Sequence, residues 1–340
     1  MTLRITGLAL LIALLAAVFF LRTPDTDPAA MTAKYTNAAS SFTKPSSSRM
    51  RIHYRDQGNP DGMPIVLVHG SAASLHTWEP LVKLLGENFR LITLTLPGHG
   101  LTGEHPTDEY SYAGLAEAID LVTDELSIDR FVLGGNSLGG WVTWRYAIDH
   151  PDKLNALLLL NAWGMPLRDG EEEPESNIGF KIMATPIGSF LATHYTPRSL
   201  VKMSALQSVS IKEVMTEDVV DRYWELLRFP GNRRAAGLRM QADQEMAFAD
   251  RISEITLPTL ILWGDEDQLI PISAATTFKE RLPQAEVVIL PGIGHLPMEE
   301  APIKTARAID QFLSDVVFYR LTDVIRSLSI NSFNIDNARD

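Results

Sequence analysis

The hydrophobic pattern divides the chain into unlike stretches. Ile5–Leu21 is a strongly apolar run, interrupted only by Thr6 and Gly7, with Arg4 before it and Arg22 after it. Residues 23–49 are rich in Pro, Ser, Thr, Ala and Asp and show no apolar periodicity. From Met50 the pattern changes. An alternating segment, Arg51 to Arg55, precedes short β-type runs at Ile65 to Val68, Leu91 to Leu94, Phe131 to Leu133, Leu157 to Leu160, Thr259 to Trp263 and Val287 to Leu290. Segments with helical spacing lie between them, for example Tyr112 to Leu126, Leu138 to Ile148 and Ser273 to Leu282. Short, wholly apolar runs alternating with helices predict an α/β fold, a mostly parallel sheet covered on both faces.

The alternation stops between Trp163 and about Asp250, where acidic Glu171 to Glu175, several prolines and helix-like spacing (Val219, Tyr223, Leu226, Leu227) replace strand signals. The expected organisation is a core of residues 50–162 and 251–313, a helical cap of residues 163–250 over the sheet's carboxyl end, and a carboxyl-terminal extension, 314–340, with an amphipathic pattern. Residues 23–49 read as a flexible tether. Residues 1–22 read as a membrane anchor or a signal segment: roughly 17 apolar residues are at the short end of a bilayer span. No clean small-residue cleavage site follows, so an uncleaved anchor is expected, with the domain outside the cytoplasm on the periplasmic side; export after cleavage is the alternative.

Composition narrows the chemistry. The net charge of −12 argues against a nucleic-acid partner, which needs clustered Lys and Arg. The chain has no cysteine, which excludes disulfides, thiolate catalysis and Cys-ligated metal. Nothing in the sequence calls for a metal or an organic cofactor.

The candidate chemistry centres on Gly135-Asn136-Ser137-Leu138-Gly139, between the run Phe131 to Leu133 and a helix starting at Leu138. A strand-to-helix elbow strains the serine backbone, exposes its hydroxyl at the carboxyl edge of the sheet, and aims the Leu138 amide at an incoming carbonyl oxygen. A serine hydroxyl needs a base held in one tautomer. Of eight histidines, His295 fits, in a glycine-rich loop just after the run Val287 to Leu290. A carboxylate is expected from the loop after Thr259 to Trp263, which offers Asp265, Glu266 and Asp267. The second oxyanion donor is expected from the loop after Ile65 to Val68, from the amide of Ser71 or of Ala72. His69 is expected to organise that loop. His99 and His105 lie in other loops.

Taken in order, His69-Gly70, Leu96-Pro97-Gly98-His99-Gly100, Gly135 to Gly140, Trp263 to Asp267 and Gly294-His295 resemble the successive signatures of the α/β-hydrolase superfamily, over residues 50 to about 313. The resemblance implies a largely parallel eight-stranded sheet with an inserted cap. It also implies a nucleophile–acid–histidine order, with Asp267 rather than Asp265 as the acid. Ser137 stands where dehalogenases and epoxide hydrolases carry aspartate. Asn136-Ser137 resembles hydrolases of ring-cleavage products, yet Ser71 to Ser74 replaces their glycine run and Leu296 replaces their tryptophan. The closer likeness is to capped bacterial esterases and lipases. That implies cleavage of a small or lipid-like carboxylic ester through Ser137, Asp267 and His295, with Ser71 and Leu138 as oxyanion donors. Thioester, amide or carbon–carbon cleavage, and a non-catalytic binding role, are the competing readings.

Overall fold

The computed structural model describes residues 22–316 apart from 45–49, 169, 172, 173, 175, 176 and 243–245. The apolar run Ile5–Leu21 and the extension beyond residue 316 lie outside the described residues. Among the described residues no helix is long and apolar enough to cross a membrane.

Eight strands form one sheet: β1 (Ser40–Phe42), β2 (His53–Gly58), β3 (Met63–Val68), β4 (Phe89–Leu94), β5 (Phe131–Ser137), β6 (Leu154–Ala162), β7 (Thr259–Gly264) and β8 (Glu286–Leu290). Their spatial order is β1-β2-β4-β3-β5-β6-β7-β8. Only the β1–β2 and β2–β4 pairs are antiparallel. The mostly parallel eight-stranded α/β sheet is therefore as expected. The continuous apolar runs follow from coverage on both faces. In β6 all nine residues are buried. Leu157 and Leu159 join one core cluster with Val66, Val68, Leu133 and Trp263, while Leu158 and Leu160 join the other with Ile65, Leu67, Val132 and Leu262. Successive side chains point to opposite faces, so both parities must be apolar.

Helices fill the connections: α1 (Pro28–Tyr35), α2 (Glu79–Leu85), α3 (Tyr112–Glu125), α4 (Leu138–Asp149), α5 (Ile178–Met183), α6 (Pro186–His194), α7 (Arg198–Gln207), α8 (Glu217–Leu227), α9 (Asn232–Gln241), α10 (Ser273–Arg281), α11 (Pro297–Glu300) and α12 (302–316). The five helices α5 to α9 all fall between β6 and β7.

The structure differs from expectation at the amino-terminal side. The stretch 23–49 reads as a flexible tether, but Asp27 caps α1 through Ala30 N (2.7 Å), Pro28 opens the helix, and β1 pairs with β2. Only Met31 and Tyr35 of α1 are buried, and β1 is three residues long, so neither leaves a periodic apolar signal. The folded body thus begins before Met50. β2 also begins two residues later and ends three later than the alternation at Arg51 to Arg55 suggests.

Candidate active site

The candidate residues lie at the carboxyl ends of parallel strands: Ser71 after β3, Ser137 at the end of β5, Asp267 after β7 and His295 after β8, with β3 and β5 meeting where the strand order reverses and an open sheet leaves a crevice. Ser137 ends β5 and opens α4 with φ +54° and ψ −118°. No ordinary L-residue prefers this region. Helix and sheet meet closely here. A methyl group at Gly139 would lie 2.1 Å from the Val68 carbonyl oxygen, so only glycine lets the first turn of α4 approach β3. The loop after β3 runs against the serine, since a methyl group at Gly70 would lie 3.0 Å from Ser137 Cβ. Ala72 in that loop has φ +59° and Asn161 at the end of β6 has φ +43°. Among the described residues these are, with Ser137, three of five non-glycine residues at positive φ, so backbone strain concentrates at this site.

The acid loop separates its candidates. Asp267 is buried, and its Oδ2 lies 2.7 Å from His295 Nδ1. Its Oδ1 accepts from Leu269 N (2.8 Å) and Ile270 N (3.1 Å). Asp265 is exposed and accepts from Gly292 N (2.7 Å), a turn-closing contact. The structure therefore brings Asp267, and not Asp265, to His295. With Nδ1–H donating to the carboxylate, His295 Nε2 is left as the acceptor, the tautomer a general base needs.

Three positioning groups escaped the sequence. Asn161, fully buried, donates from Nδ2 to Asp267 Oδ2 (2.7 Å), so the carboxylate oxygen facing His295 has two donors. Asn136 Nδ2 donates to the Leu160 carbonyl (3.1 Å) and to the His295 carbonyl (3.0 Å), tying the serine elbow to the histidine loop. The buried Glu300 carboxylate accepts from the amides on either side of His295, Gly294 N (3.1 Å) and Leu296 N (3.1 Å), and from Ser210 N (2.8 Å) and Ile211 N (3.0 Å).

His69 lies completely buried beneath the β3 loop. Its Nδ1 bonds the Gly70 carbonyl (2.7 Å) and its Nε2 accepts from Leu96 N (3.0 Å). Desolvation pulls its pKa down to about 4, so the ring is a neutral strut at physiological pH. His99 packs edge-on against it at 5.0 Å, its pKa also driven well down by burial. His105 bonds its own loop, at Thr107 N and Glu109 N. Neither is bonded to Asp267.

Ser137, Leu138 and Ser71 line one cavity of about 570 Å³ together with Trp163, Met165 and Ile270. A second, apolar cavity of about 120 Å³ lies between the β3 loop and the helices inserted between β6 and β7, among Ile182, Met183, Leu200, Val201 and Leu227. Ser71, Phe180 and Arg239 border both. Arg239 Nη1 donates to Ser71 Oγ (2.7 Å), and desolvation lowers its pKa to about 10. This cap residue holds the loop that carries the Ser71 amide. Chemically, the arrangement offers a hydroxyl, an oriented imidazole–carboxylate pair and a largely apolar cavity.

Residues 63–302 match the family model described as alpha/beta hydrolase fold. Among curated proteins the chain is similar to monoacylglycerol lipase abhd6-A of Xenopus laevis, at 27% identity over 276 residues, covering 77% of this chain and 79% of that protein. Among solved structures it is similar to a membrane phospholipase A described as a bacterial virulence factor, with TM-score 0.68 and 24% identity, covering 93% of this chain and 99% of that one. A meta-cleavage product hydrolase of Pseudomonas fluorescens IP01 aligns with TM-score 0.69 and 20% identity, over 82% of this chain and 99% of that one.

Proposed function

The chain belongs to the α/β-hydrolase fold family, and from that premise we propose that it is a serine carboxylic-ester hydrolase acting on lipid-like esters through Ser137, His295 and Asp267. Ser137 Oγ attacks the ester carbonyl carbon while His295 Nε2 takes its proton. Asp267 holds the imidazole and stabilises its protonated form. The amides of Leu138 and Ser71 receive the oxyanion. Collapse expels the alcohol, which takes the proton from His295. A water molecule then repeats the sequence on the acyl-enzyme and releases the acid.

The observation that carries this reading is the buried Asp267–His295 hydrogen bond, 2.7 Å long, at the sheet edge where the Ser137 elbow stands. The lipid-like substrate is supported by the apolar cavity in the cap and by relatives named as monoacylglycerol lipases. The amino-terminal run Ile5–Leu21 anchors the enzyme in the membrane whose lipids it meets, with the body on the periplasmic side.

Ser137→Ala abolishes turnover of a short-chain nitrophenyl ester. Asp267→Asn lowers kcat by roughly 10³- to 10⁴-fold through the wrong imidazole tautomer, while Asp265→Asn stays within a few-fold. Residual Ser137→Ala activity within about tenfold of the parent, only ~1.4 kcal/mol of barrier, contradicts the assignment. So does a larger loss at Asp265.

A further inference from the structure

We propose that the outer face of α6 docks on the surface of an anionic phospholipid bilayer, beside the point where the amino-terminal segment joins the body. The burial of this helix is inverted. Ser189 and Ala192 face inward and are buried, and a methyl group at Gly237 of α9 would lie 2.0 Å from Ser189 Oγ. Ile187, Phe190 and Leu191, spaced along the opposite face, are 76%, 66% and 46% exposed. Large apolar side chains at i, i+3 and i+4 on the solvent side of a helix mark a contact surface, because a core-packing helix shows the reverse.

Two independent observations name the occupant as a lipid surface. The chain enters the body at the carboxyl end of the same helix. Thr23 N donates to the His194 carbonyl (2.8 Å), Thr196 N donates to Thr23 Oγ1 (2.6 Å), and Arg233 Nη1 donates to the Thr23 carbonyl (2.8 Å). The apolar run ends at Leu21, two residues earlier. A bilayer that holds the run is therefore held next to α6. The charge pattern agrees. The chain carries 42 Asp and Glu in 340 residues, yet residues 177–212 hold none and include Lys181, Arg198, Lys202 and Lys212. Helix α6 itself presents no carboxylate to repel lipid phosphates; the nearby carboxylates are paired, Glu217 and Asp221 of α8 with Arg198 and Lys202, and Asp25 beside the Thr23 entry with Arg233. The inner face of α6 contributes Ala192 to the cap's apolar cavity. One helix thus separates the lipid surface from the space proposed to receive the substrate's chain.

The proposal rests on the reading of Ile5–Leu21 as a membrane segment, and the experiment separates the two. The chain has no cysteine, so an introduced one is unique. Full-length Phe190→Cys and Ile303→Cys are labelled with a polarity-sensitive fluorophore and reconstituted into phosphatidylglycerol–phosphatidylethanolamine vesicles, with or without doxyl-labelled lipid. Ile303 is 64% exposed on α12 of the core. Flotation reports anchoring, and emission reports docking without requiring catalysis. The expected result is a blue-shifted position-190 label, quenched at least twofold by doxyl lipid, and an unaffected position-303 label. Protein that floats while both labels stay water-exposed overturns docking and leaves the anchor standing. A position-190 label shielded but not quenched overturns docking too, since protein then covers the face. Protein that does not float overturns both. As a second readout, Ile187→Glu with Phe190→Glu lowers turnover of a long-chain ester in vesicles at least tenfold and leaves a soluble short-chain ester within twofold. Equal activity on both overturns the proposal.

Discussion

The Asp267 carboxylate has four hydrogen-bonding partners, and the one without a sequence signature is Asn161. Its Nδ2 reaches the same carboxylate oxygen that meets His295, and its φ of +43° shows backbone strain held at that point. A hydrogen bond to a charged group contributes about 1.5–3 kcal/mol. Asn161→Ala is therefore expected to lower kcat by about 10- to 100-fold with KM nearly unchanged, because the acid loses orientation while substrate contacts remain. A change confined to KM contradicts this role. Ser137 and His295 are legible in the sequence because each stands in a glycine-bounded turn immediately after an apolar run. Asn161 is not, because one polar residue after Leu157 to Leu160 looks like any strand end. Arg239 is equally silent, a cation on a polar helix whose burial only the assembled cap reveals.

The short helix α11 acts as a clasp between core and cap. Glu300 accepts four backbone amides, two flanking His295 and two from the cap segment Ser210–Ile211. Its neighbour Glu299 accepts from Tyr223 of α8 (2.9 Å) and from Thr77 of the core. In sequence the pair reads as a solvated acidic turn, since nothing local announces partners 90 residues away. Glu300→Ala strands four amides. It is expected to cost about 3 kcal/mol or more in denaturant unfolding and to lower kcat, since the His295 loop loses its support. A midpoint unchanged from the parent contradicts the clasp. The sheet strands and the helices that cover them are legible because burial on both faces enforces apolar runs. Helix α1 and strand β1 are not, because each is short and packs through very few side chains.

At the scale of the whole molecule, burial of histidine couples stability to pH. Desolvation lowers the pKa of His53 and His76 to about 3 and of His69 to about 4, and takes His99 well below the ordinary value. An unfolded imidazole titrates near 6.5. Below about pH 6.5 the unfolded chain binds protons that the native state refuses, so stability rises with pH up to that point and is lost as pH falls. Each ring contributes at most ~1.4 kcal/mol per pH unit in this window. Thermal unfolding is expected to move to lower temperature between about pH 6.5 and pH 5, before most carboxylates titrate. A flat profile there contradicts the neutral assignment.

In the proposed reaction Ser137 carries the acyl group during turnover. The most direct test is mass spectrometry of the full-length protein after reaction with a fluorophosphonate, followed by digestion and sequencing of the modified peptide. The expected result is a single adduct on Ser137, absent from Ser137→Ala and slowed in Asp267→Asn. An adduct on another residue, or no adduct in a preparation that still hydrolyses ester, contradicts it.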